Sequence, residues 1–542
     1  MSTETASASA APGLFTRKAT GLVREARTTD ALFYNVMWAS VALSFAFFWL
    51  LYPFYYQGSN ALIAFLIAAV LGIPGAFLYA MLAQIMPRTG GDYVFNSRAL
   101  HPSVGFAGNF SYCFWLGIIY GVYTTYLAAY GFGAFGRMMA GFTGSSGWLA
   151  FGDWFSKDYA LFITGTAAIL ISAGVFIAGG MTLFLRLQVA AFGLYIVGAF
   201  LVPVLVGLFQ SKAGFLGNFN DYAANLGTQN ASSALTASAQ KAGFAPASFD
   251  LTTTLKSVSV FWYIFGFLYS SNYFAGEIRL RKRTHFVSIP GAVLVSAVCI
   301  ALVLPAYLHV TGYTLNGQLG LADPAAYGFA AGAPAYPEIM SIASGTWVLG
   351  AIMIIGFTVG LLIWLPQTML LASRSMFAWS FDRVMPARLS YVDPRTHSPV
   401  IAIGIVSLVA IASTAIYAFT TWFSTLSVLL GLSLTLIITA IGGIALPYRQ
   451  RAMVENSPYG GTIAGIPKVT FVAILALIGF GCGIGILLWD QGSGASLSAN
   501  PGKLFLGLGV LALGFAIYFV SAAVRRRQGI DLALTYRELP PE

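Results

Sequence analysis

The sequence has few charged residues for its length. Only 8% of its 542 residues are Asp, Glu, Lys or Arg, against about 25% in a typical soluble domain. So few charges could not cover the surface of a soluble fold. The composition therefore excludes a set of ordinary soluble domains, although the chain is long enough to hold several.

Cysteine and histidine are also scarce. The three cysteines lie in separate apolar runs without metal-ligand spacing, and the four histidines form no cluster. No pair of carboxylates and no nucleophile with its base is visible within the apolar runs. We therefore expect no catalytic site, no bound metal and no cofactor.

Apolar residues are abundant instead, at 58% of the chain. Runs of about 20 residues, enough to cross the hydrocarbon of a bilayer as helices, recur along the sequence. The predicted spans are Leu32 to Tyr52, Ala61 to Met86, Val104 to Phe135, Tyr159 to Ala178, Leu187 to Phe209, Val258 to Ala275, Phe286 to His309, Trp347 to Ala372, Val400 to Phe419, Ser424 to Leu446, Val469 to Trp489 and Leu504 to Val524. The sequence thus predicts an all-α integral membrane protein with about 12 transmembrane helices.

The basic residues indicate the orientation of these spans, because cytoplasmic loops retain Lys and Arg during insertion. With the N-terminus inside, 22 of the 28 basic residues fall on the cytoplasmic side and 6 on the outer side. We expect a multi-pass protein of the cell membrane with both termini in the cytoplasm. Residues 1–30 are predicted to be a disordered cytoplasmic tail without a signal peptide, 210–257 an extracellular loop, and 525–542 a second cytoplasmic tail.

The net charge of +10 does not indicate a nucleic-acid partner, because the basic residues lie between apolar runs rather than on one face. The spans carry almost no charge near their centres. We expect the partners to be the lipid bilayer and a small solute, with protons as the candidate coupling ion. The oligomeric state is left open.

Three sequence blocks resemble one transporter family. The first, Tyr79 to Tyr93, reads YAMLAQIMPRTGGDY; the second begins at Ser373 and ends at Pro399; the third begins at Phe265 and ends at Arg279. Together they are similar to the amino acid/polyamine/organocation permeases, over about Asp30 to Arg451. Three features depart from the family pattern: Met81 at a usual Glu position, Arg383 where Gly often follows Asp, and no Gly-rich break in the first helix.

The resemblance implies a fold of two inverted halves around a central site. Residues 31–209 would hold helices one to five, residues 258–446 helices six to ten, and residues 447–524 two peripheral helices. The first and sixth helices would be interrupted near their middles. Small residues suited to such interruptions are Ser40 and Ser44 in the first helix and Gly266 and Ser270 in the sixth, although the same residues could be ordinary helix contacts.

The resemblance also implies a substrate site at these interruptions. The α-carboxylate of an amino acid would lie against free N–H groups of the first helix, and the amino group against carbonyls of the sixth, with Tyr269 lining the side-chain pocket. The predicted substrate-binding residues are Ser40, Val41, Ala42, Leu43, Ser44, Phe45, Phe265, Gly266, Phe267, Tyr269 and Ser270. The expected activity is secondary transport of amino acids or closely related solutes by alternating access. The alternatives are a polyamine or organic-cation carrier, which should need acidic residues in its pocket, and a transporter-like sensor.

Gate and coupling residues follow from the same comparison. Gly90, Gly91 and Asp92 lie in a segment, Thr89 to His101, that we expect to form the inner gate; the alternative is an ordinary surface loop. Tyr195 occupies about the position of a Lys that several family members use for proton coupling, and Tyr is a poor proton carrier at neutral pH. We therefore expect any proton coupling to use Glu277 first and Asp92 second, with uncoupled exchange or facilitation as the alternative. Glu277 could instead merely pair with basic residues in the segment Arg279 to Arg283.

Overall fold

The computed structural model describes residues 21–40, 48, 52, 55–279, 283–329, 332–422, 426–532 and 536. Most of the predicted N-terminal tail and five predicted site residues, Val41 to Phe45, lie outside the described residues. Within the described ranges the chain is mainly helical. The sheet found there is one hairpin of β1 (Thr462–Ile463) and β2 (Ile466–Pro467).

The described helices are numbered here in chain order. They are α1 Thr28–Trp38, α2 Ala61–Ile85, α3 Asp92–Ala99, α4 Pro102–Tyr126, α5 Ala134–Thr143, α6 Ser146–Trp154, α7 Asp158–Ile196, α8 Val202–Phe209, α9 Lys212–Asn225, α10 Ala231–Lys241, α11 Leu251–Phe265, α12 Thr284–Leu321, α13 Tyr336–Ser344, α14 Trp347–Phe381, α15 Val400–Phe419, α16 Val428–Arg449, α17 Arg451–Glu455, α18 Lys468–Trp489 and α19 Gly502–Arg527. Short π-helices, Leu127–Gly133 and Val197–Leu201, join α4 to α5 and α7 to α8.

Nine helical stretches in the described part of the chain are long and apolar enough to cross a bilayer. One of them, Asp158–Phe209, has 52 residues, more than twice the length that a bilayer needs. It is broken at Gly180, which has a φ of 59°, so it accommodates both the fourth and the fifth predicted span. The class of all-α membrane protein is therefore confirmed, while the count of twelve stays a prediction.

Side-chain caps define where several helices begin. The Asn60 side chain accepts hydrogen bonds from the N–H groups of Leu62 and Ile63 at the start of α2. The Asp250 side chain accepts one from Thr253 at the start of α11. These oxygens satisfy backbone donors that have no partner within the helix. The Asp250 cap fixes the start of α11, the helix that ends at the central interruption.

The sixth predicted span is interrupted. Helix α11 ends at Phe265, and the chain continues through the 3-10 turns Ser270–Tyr273 and Ala275–Glu277. The interruption lies at Gly266, the position that the sequence indicated. It is buried from Gly266 to Glu277, and α1, α2, α4 and α14 surround it.

Candidate functional site

Asn35 joins α1 to the interrupted helix. Its Nδ2 donates to Ser271 Oγ at 2.9 Å and to the Ser288 carbonyl at 3.0 Å, and its Oδ1 accepts from the Ser271 N–H at 2.8 Å. All of these groups are buried. One amide side chain thus satisfies the Ser271 N–H, which the interruption leaves without a helical partner, and it holds α1, the 3-10 turn and α12 together.

Four aromatic rings form a column beside this junction. Tyr34 and Trp38 of α1 stack with ring centroids 6.0 Å apart. Trp38 also stacks on Trp364 of α14, with centroids 5.2 Å apart. Trp364 in turn stacks on Tyr123 of α4, with centroids 3.5 Å apart. The Tyr123 hydroxyl lies 3.1 Å from that of Tyr263, on α11. The column therefore links three helices to the interrupted one through large buried contacts.

The predicted residues of the sixth helix, Phe265 to Ser270, are all buried. The Tyr269 ring stacks on Tyr79 of α2 with centroids 3.8 Å apart, and its hydroxyl donates to the Gly266 carbonyl. The ring of Tyr269 thus packs on the α2 side of the interruption. Ser40, after the end of α1, is buried and has a φ of 45°, which marks a change of chain direction there.

The segment containing Gly90 and Gly91 packs directly on the interrupted helix. The Gly90 N–H donates to the Tyr273 carbonyl at 3.0 Å, and Thr89 and Phe274 form an isolated β-bridge. Gly91 has a φ of 55°, and a Cβ added there would lie 3.0 Å from the Tyr273 ring. Residues 89–99 are all buried, so this segment is not an ordinary surface loop.

Asp92 begins α3 and is buried beneath the same turn. Its Oδ1 accepts hydrogen bonds from the Tyr273 hydroxyl at 2.8 Å and from Asn109 Nδ2 at 2.7 Å. Trp379 Nε1 in turn donates a hydrogen bond to Asn109 Oδ1 at 2.7 Å. Burial raises the pKa of Asp92 from 3.8 to about 6, against the two side-chain hydrogen bonds, which lower it. A carboxyl group with that pKa exchanges protons close to physiological pH.

Glu277 pairs with Arg374 of α14. Arg374 Nε and Nη2 donate to the two carboxylate oxygens of Glu277, each at 2.9 Å, and both side chains are buried. Arg279 instead uses its Nε to donate to the Arg24 carbonyl at 3.1 Å. The alternative that Glu277 pairs with the basic segment is therefore wrong for its described residues, Arg279 and Arg283.

Tyr195, in the fifth predicted span, packs against the eighth. A Cβ added at Gly360 of α14 would lie 2.4 Å from the Tyr195 ring, and the Phe200 ring centroid lies 5.0 Å away. Gln188, seven residues before Tyr195, makes a polar contact between the fifth span and α1. Its Nε2 donates to the Asp30 carbonyl at 2.9 Å, and its Oε1 accepts from Gln367 Nε2 at 3.2 Å. The sequence argument did not identify either glutamine.

Two more buried ion pairs were not predicted. Arg98 of α3 pairs with Asp382 at 2.9 Å, and the ring of Tyr536 lies 4.9 Å from the Arg98 guanidinium. At the opposite end of the molecule, Arg137 pairs with Glu338 of α13 at 3.1 Å. Each joins residues that are more than 200 positions apart in the sequence, which no local pattern could indicate.

A buried carboxylate, Asp490 at the end of α18, contacts α11 before the interruption. Asp490 Oδ2 accepts hydrogen bonds from the Tyr56 hydroxyl at 2.5 Å and from Ser259 Oγ at 2.6 Å, and its Oδ1 accepts from the Gly492 N–H at 3.0 Å. These bonds join the chain before α2, helix α11 and the end of α18.

An interrupted, buried helix surrounded by apolar spanning helices defines an all-α membrane protein of the kind that binds small solutes between its helices. The family model for amino acid permeases matches residues 28–513. The chain therefore belongs to the amino acid permease family, within the amino acid/polyamine/organocation superfamily. The resemblance seen in the sequence is confirmed, and the match continues beyond Arg451. No curated protein gave a match to the chain.

Proposed function

We propose that this permease is a secondary transporter that moves amino acids or closely related small solutes across the cell membrane by alternating access. The observation that carries the proposal is the interruption of the sixth span at Gly266, held against α1 by Asn35. In a transporter family, backbone groups freed by such an interruption are suited to bind the charged ends of a zwitterion.

The proposed substrate contacts follow the chemistry of an amino acid. The carboxylate would accept hydrogen bonds from N–H groups near Ala42 to Phe45, and the amino group would donate to carbonyls of Phe265 to Phe267. For Tyr269 we propose a role other than lining the side-chain pocket, because its ring stacks on Tyr79 of α2 and its hydroxyl donates to the Gly266 carbonyl. We assign it to holding the interruption in shape. Tyr263 and the aromatic column lie on the α1 side and would bound the substrate side chain.

The proposed architecture has twelve spans, two inverted halves and both termini in the cytoplasm. Contacts between residues assigned to the same face support it. Glu277 and Arg374, both assigned to the cytoplasmic side, form one ion pair. Arg137 and Glu338 at the opposite end form another. If one span between the two members of a pair were miscounted, those members would be assigned to opposite faces of the membrane.

For proton coupling we propose Asp92 ahead of Glu277, the reverse of the order expected from the sequence. Asp92 is hydrogen-bonded to Tyr273 of the interrupted segment and forms no ion pair with any described residue. Its protonation would weaken the acceptor for that tyrosine and so loosen the contact between α3 and the interruption. Protonation of Glu277 would instead leave the buried charge of Arg374 without its partner. Uncoupled exchange or facilitation is the alternative.

A binding screen distinguishes this proposal from a carrier of polyamines or organic cations. The purified full-length protein would be melted in the presence of each amino acid, of its decarboxylated amine and of putrescine. A ligand that binds only the folded state raises the melting temperature. We expect a shift with at least one amino acid and none with its amine, because the carboxylate would be recognised by backbone N–H groups. A larger shift with amines would favour the cation carrier.

A further inference from the structure

A polar cavity of about 560 Å³ lies where α1 meets the cytoplasmic start of the fifth predicted span. Its lining includes three arginines and two acidic residues, together with Thr182, Leu185 and Val189; the charged members are Arg27, Arg186, Arg279, Glu25 and Asp30. The position of Arg279 is fixed by backbone bonds. Its N–H donates to the Ala26 carbonyl at 2.8 Å, which brings it alongside Arg27.

The acidic residues of this cavity are already hydrogen-bonded within the protein. Asp30 Oδ2 accepts from the Arg27 N–H at 2.7 Å, and Glu25 accepts from the Thr182 hydroxyl. Among the described residues no ion pair within 4.0 Å joins any of the three arginines to a carboxylate. Arg279 Nε donates to the Arg24 carbonyl, which leaves the charge of all three arginines without a carboxylate partner among the described residues. The cavity therefore presents cationic groups that suit an anion from outside the chain.

Exposed apolar residues of α7 lie beside the cavity, and one of them, Val189, lines it. Leu187, Val189 and Leu194 leave roughly half of their side-chain area exposed along one helix, as expected for a surface in contact with lipid tails. Phe33 of α1 and Phe192 of α7 stack with ring centroids 4.0 Å apart, one turn further into the membrane. A ligand bound at the arginines would thus adjoin the exposed apolar surface of α7.

We propose that this cavity binds the headgroup of an anionic phospholipid, with its acyl chains along Leu187 to Leu194. Arginine suits the phosphate because its planar fork donates two parallel hydrogen bonds. Basic pockets between spanning helices on the cytoplasmic side are recognised as sites for anionic lipid headgroups. The exposed apolar surface of α7 favours a lipid over a free phosphate, since a soluble anion gains nothing from it.

Lipid binding to the purified full-length protein tests this assignment. The protein would be stripped of lipid in detergent and titrated with phosphatidylglycerol, phosphatidylcholine or inorganic phosphate, with bound lipid counted by native mass spectrometry. The test variant is Arg27→Gln with Arg186→Gln. The control is Arg527→Gln, an exposed arginine at the cytoplasmic end of α19. We expect phosphatidylglycerol to bind the wild type and the control equally, and the double variant at least tenfold more weakly.

Three results would overturn the proposal: equal retention of the two lipids, unchanged binding in the double variant, or full competition by inorganic phosphate, which would indicate a site for soluble anions. A second measurement uses the wild type alone. Photoactivatable phosphatidylglycerol should label the peptide 182–194 preferentially. Labelling spread evenly over all lipid-facing helices would contradict a defined site even if the variants failed to fold.

Discussion

The Tyr273 hydroxyl donates a 2.8 Å hydrogen bond to Asp92, and this single contact joins the turn after the interrupted helix to the start of α3. The backbone bond from Gly90 to Tyr273 lies beside it. A change of charge at Asp92 therefore acts directly on the segment next to the proposed substrate site. Besides Tyr273, the Asn109 side chain and the backbone N–H of Tyr93 donate hydrogen bonds that lower the pKa of Asp92, against the effect of burial.

The pKa of Asp92 predicts a pH-dependent stability. Because burial raises this pKa from 3.8 to about 6, the folded protein binds more protons than the unfolded chain between those values. The contribution of the Asp92 carboxyl group to the free energy of unfolding is fully present below pH 3.8. It falls by roughly 3 kcal/mol as the pH rises through 6. Asp92→Asn should remove this loss, so the melting temperature of the variant should fall less than that of the wild type between pH 4.5 and 7.

The control for this measurement is Glu455→Gln, an exposed carboxylate on α17, which should keep the wild-type profile. In proteoliposomes with an imposed pH gradient, Asp92→Asn should also lose proton-driven uptake while still exchanging substrate. Proton-driven uptake that persists in Asp92→Asn would exclude this carboxyl group as the coupling site.

The ion pair between Glu277 and Arg374 predicts a strongly unfavourable single substitution. Glu277→Gln leaves the Arg374 charge buried without a partner, a change that typically destabilises by about 3–5 kcal/mol. The double variant Glu277→Gln with Arg374→Gln should recover part of that loss. Melting temperatures of the two single variants and the double variant give the coupling energy, and additive losses would show that the two side chains do not stabilise each other.

Gly91→Val should reduce transport while the protein still reaches the membrane in normal amount. The valine would have to adopt a φ of 55°, and its Cβ would lie 3.0 Å from the Tyr273 ring, so the segment must shift away from the interrupted helix. Gly509→Val is the matched control, because a Cβ at Gly509 of α19 meets no atom within 4 Å. Flux at the wild-type level in Gly91→Val would show that the segment is not part of the gate.

Tyr195→Phe should leave the pH dependence of uptake unchanged, since the proposed proton site lies on α3. Gln188→Ala should lower the uptake rate, because it removes the contacts from the fifth span to Asp30 and Gln367. Both variants would be measured in proteoliposomes at several external pH values. The opposite pattern, with the pH dependence abolished only in Tyr195→Phe, would move the coupling site to the fifth helix.

The sequence predicted the class of fold, the family and the interruption at Gly266, because hydropathy, basic residues and glycine act locally along the chain. It did not predict Asn35 with Ser271, Glu277 with Arg374, or the column of Trp38 and Trp364. These partners are separated by 97 or more positions, and only the folded arrangement brings them together. The contact of Tyr269 with Tyr79 of α2 was not predicted either, since helical spacing does not place a side chain that follows an interruption.

The most direct test of the account is uptake of radiolabelled amino acids by proteoliposomes that contain the purified full-length protein. We predict uptake of at least one amino acid above protein-free liposomes, competition by the same unlabelled amino acid, and a loss of at least tenfold in Gly266→Val, which fills the interruption where its Cβ would lie 3.0 Å from the Trp262 carbonyl. No flux with any of the twenty amino acids, under either an imposed pH gradient or exchange conditions, would contradict the assignment as an amino acid transporter.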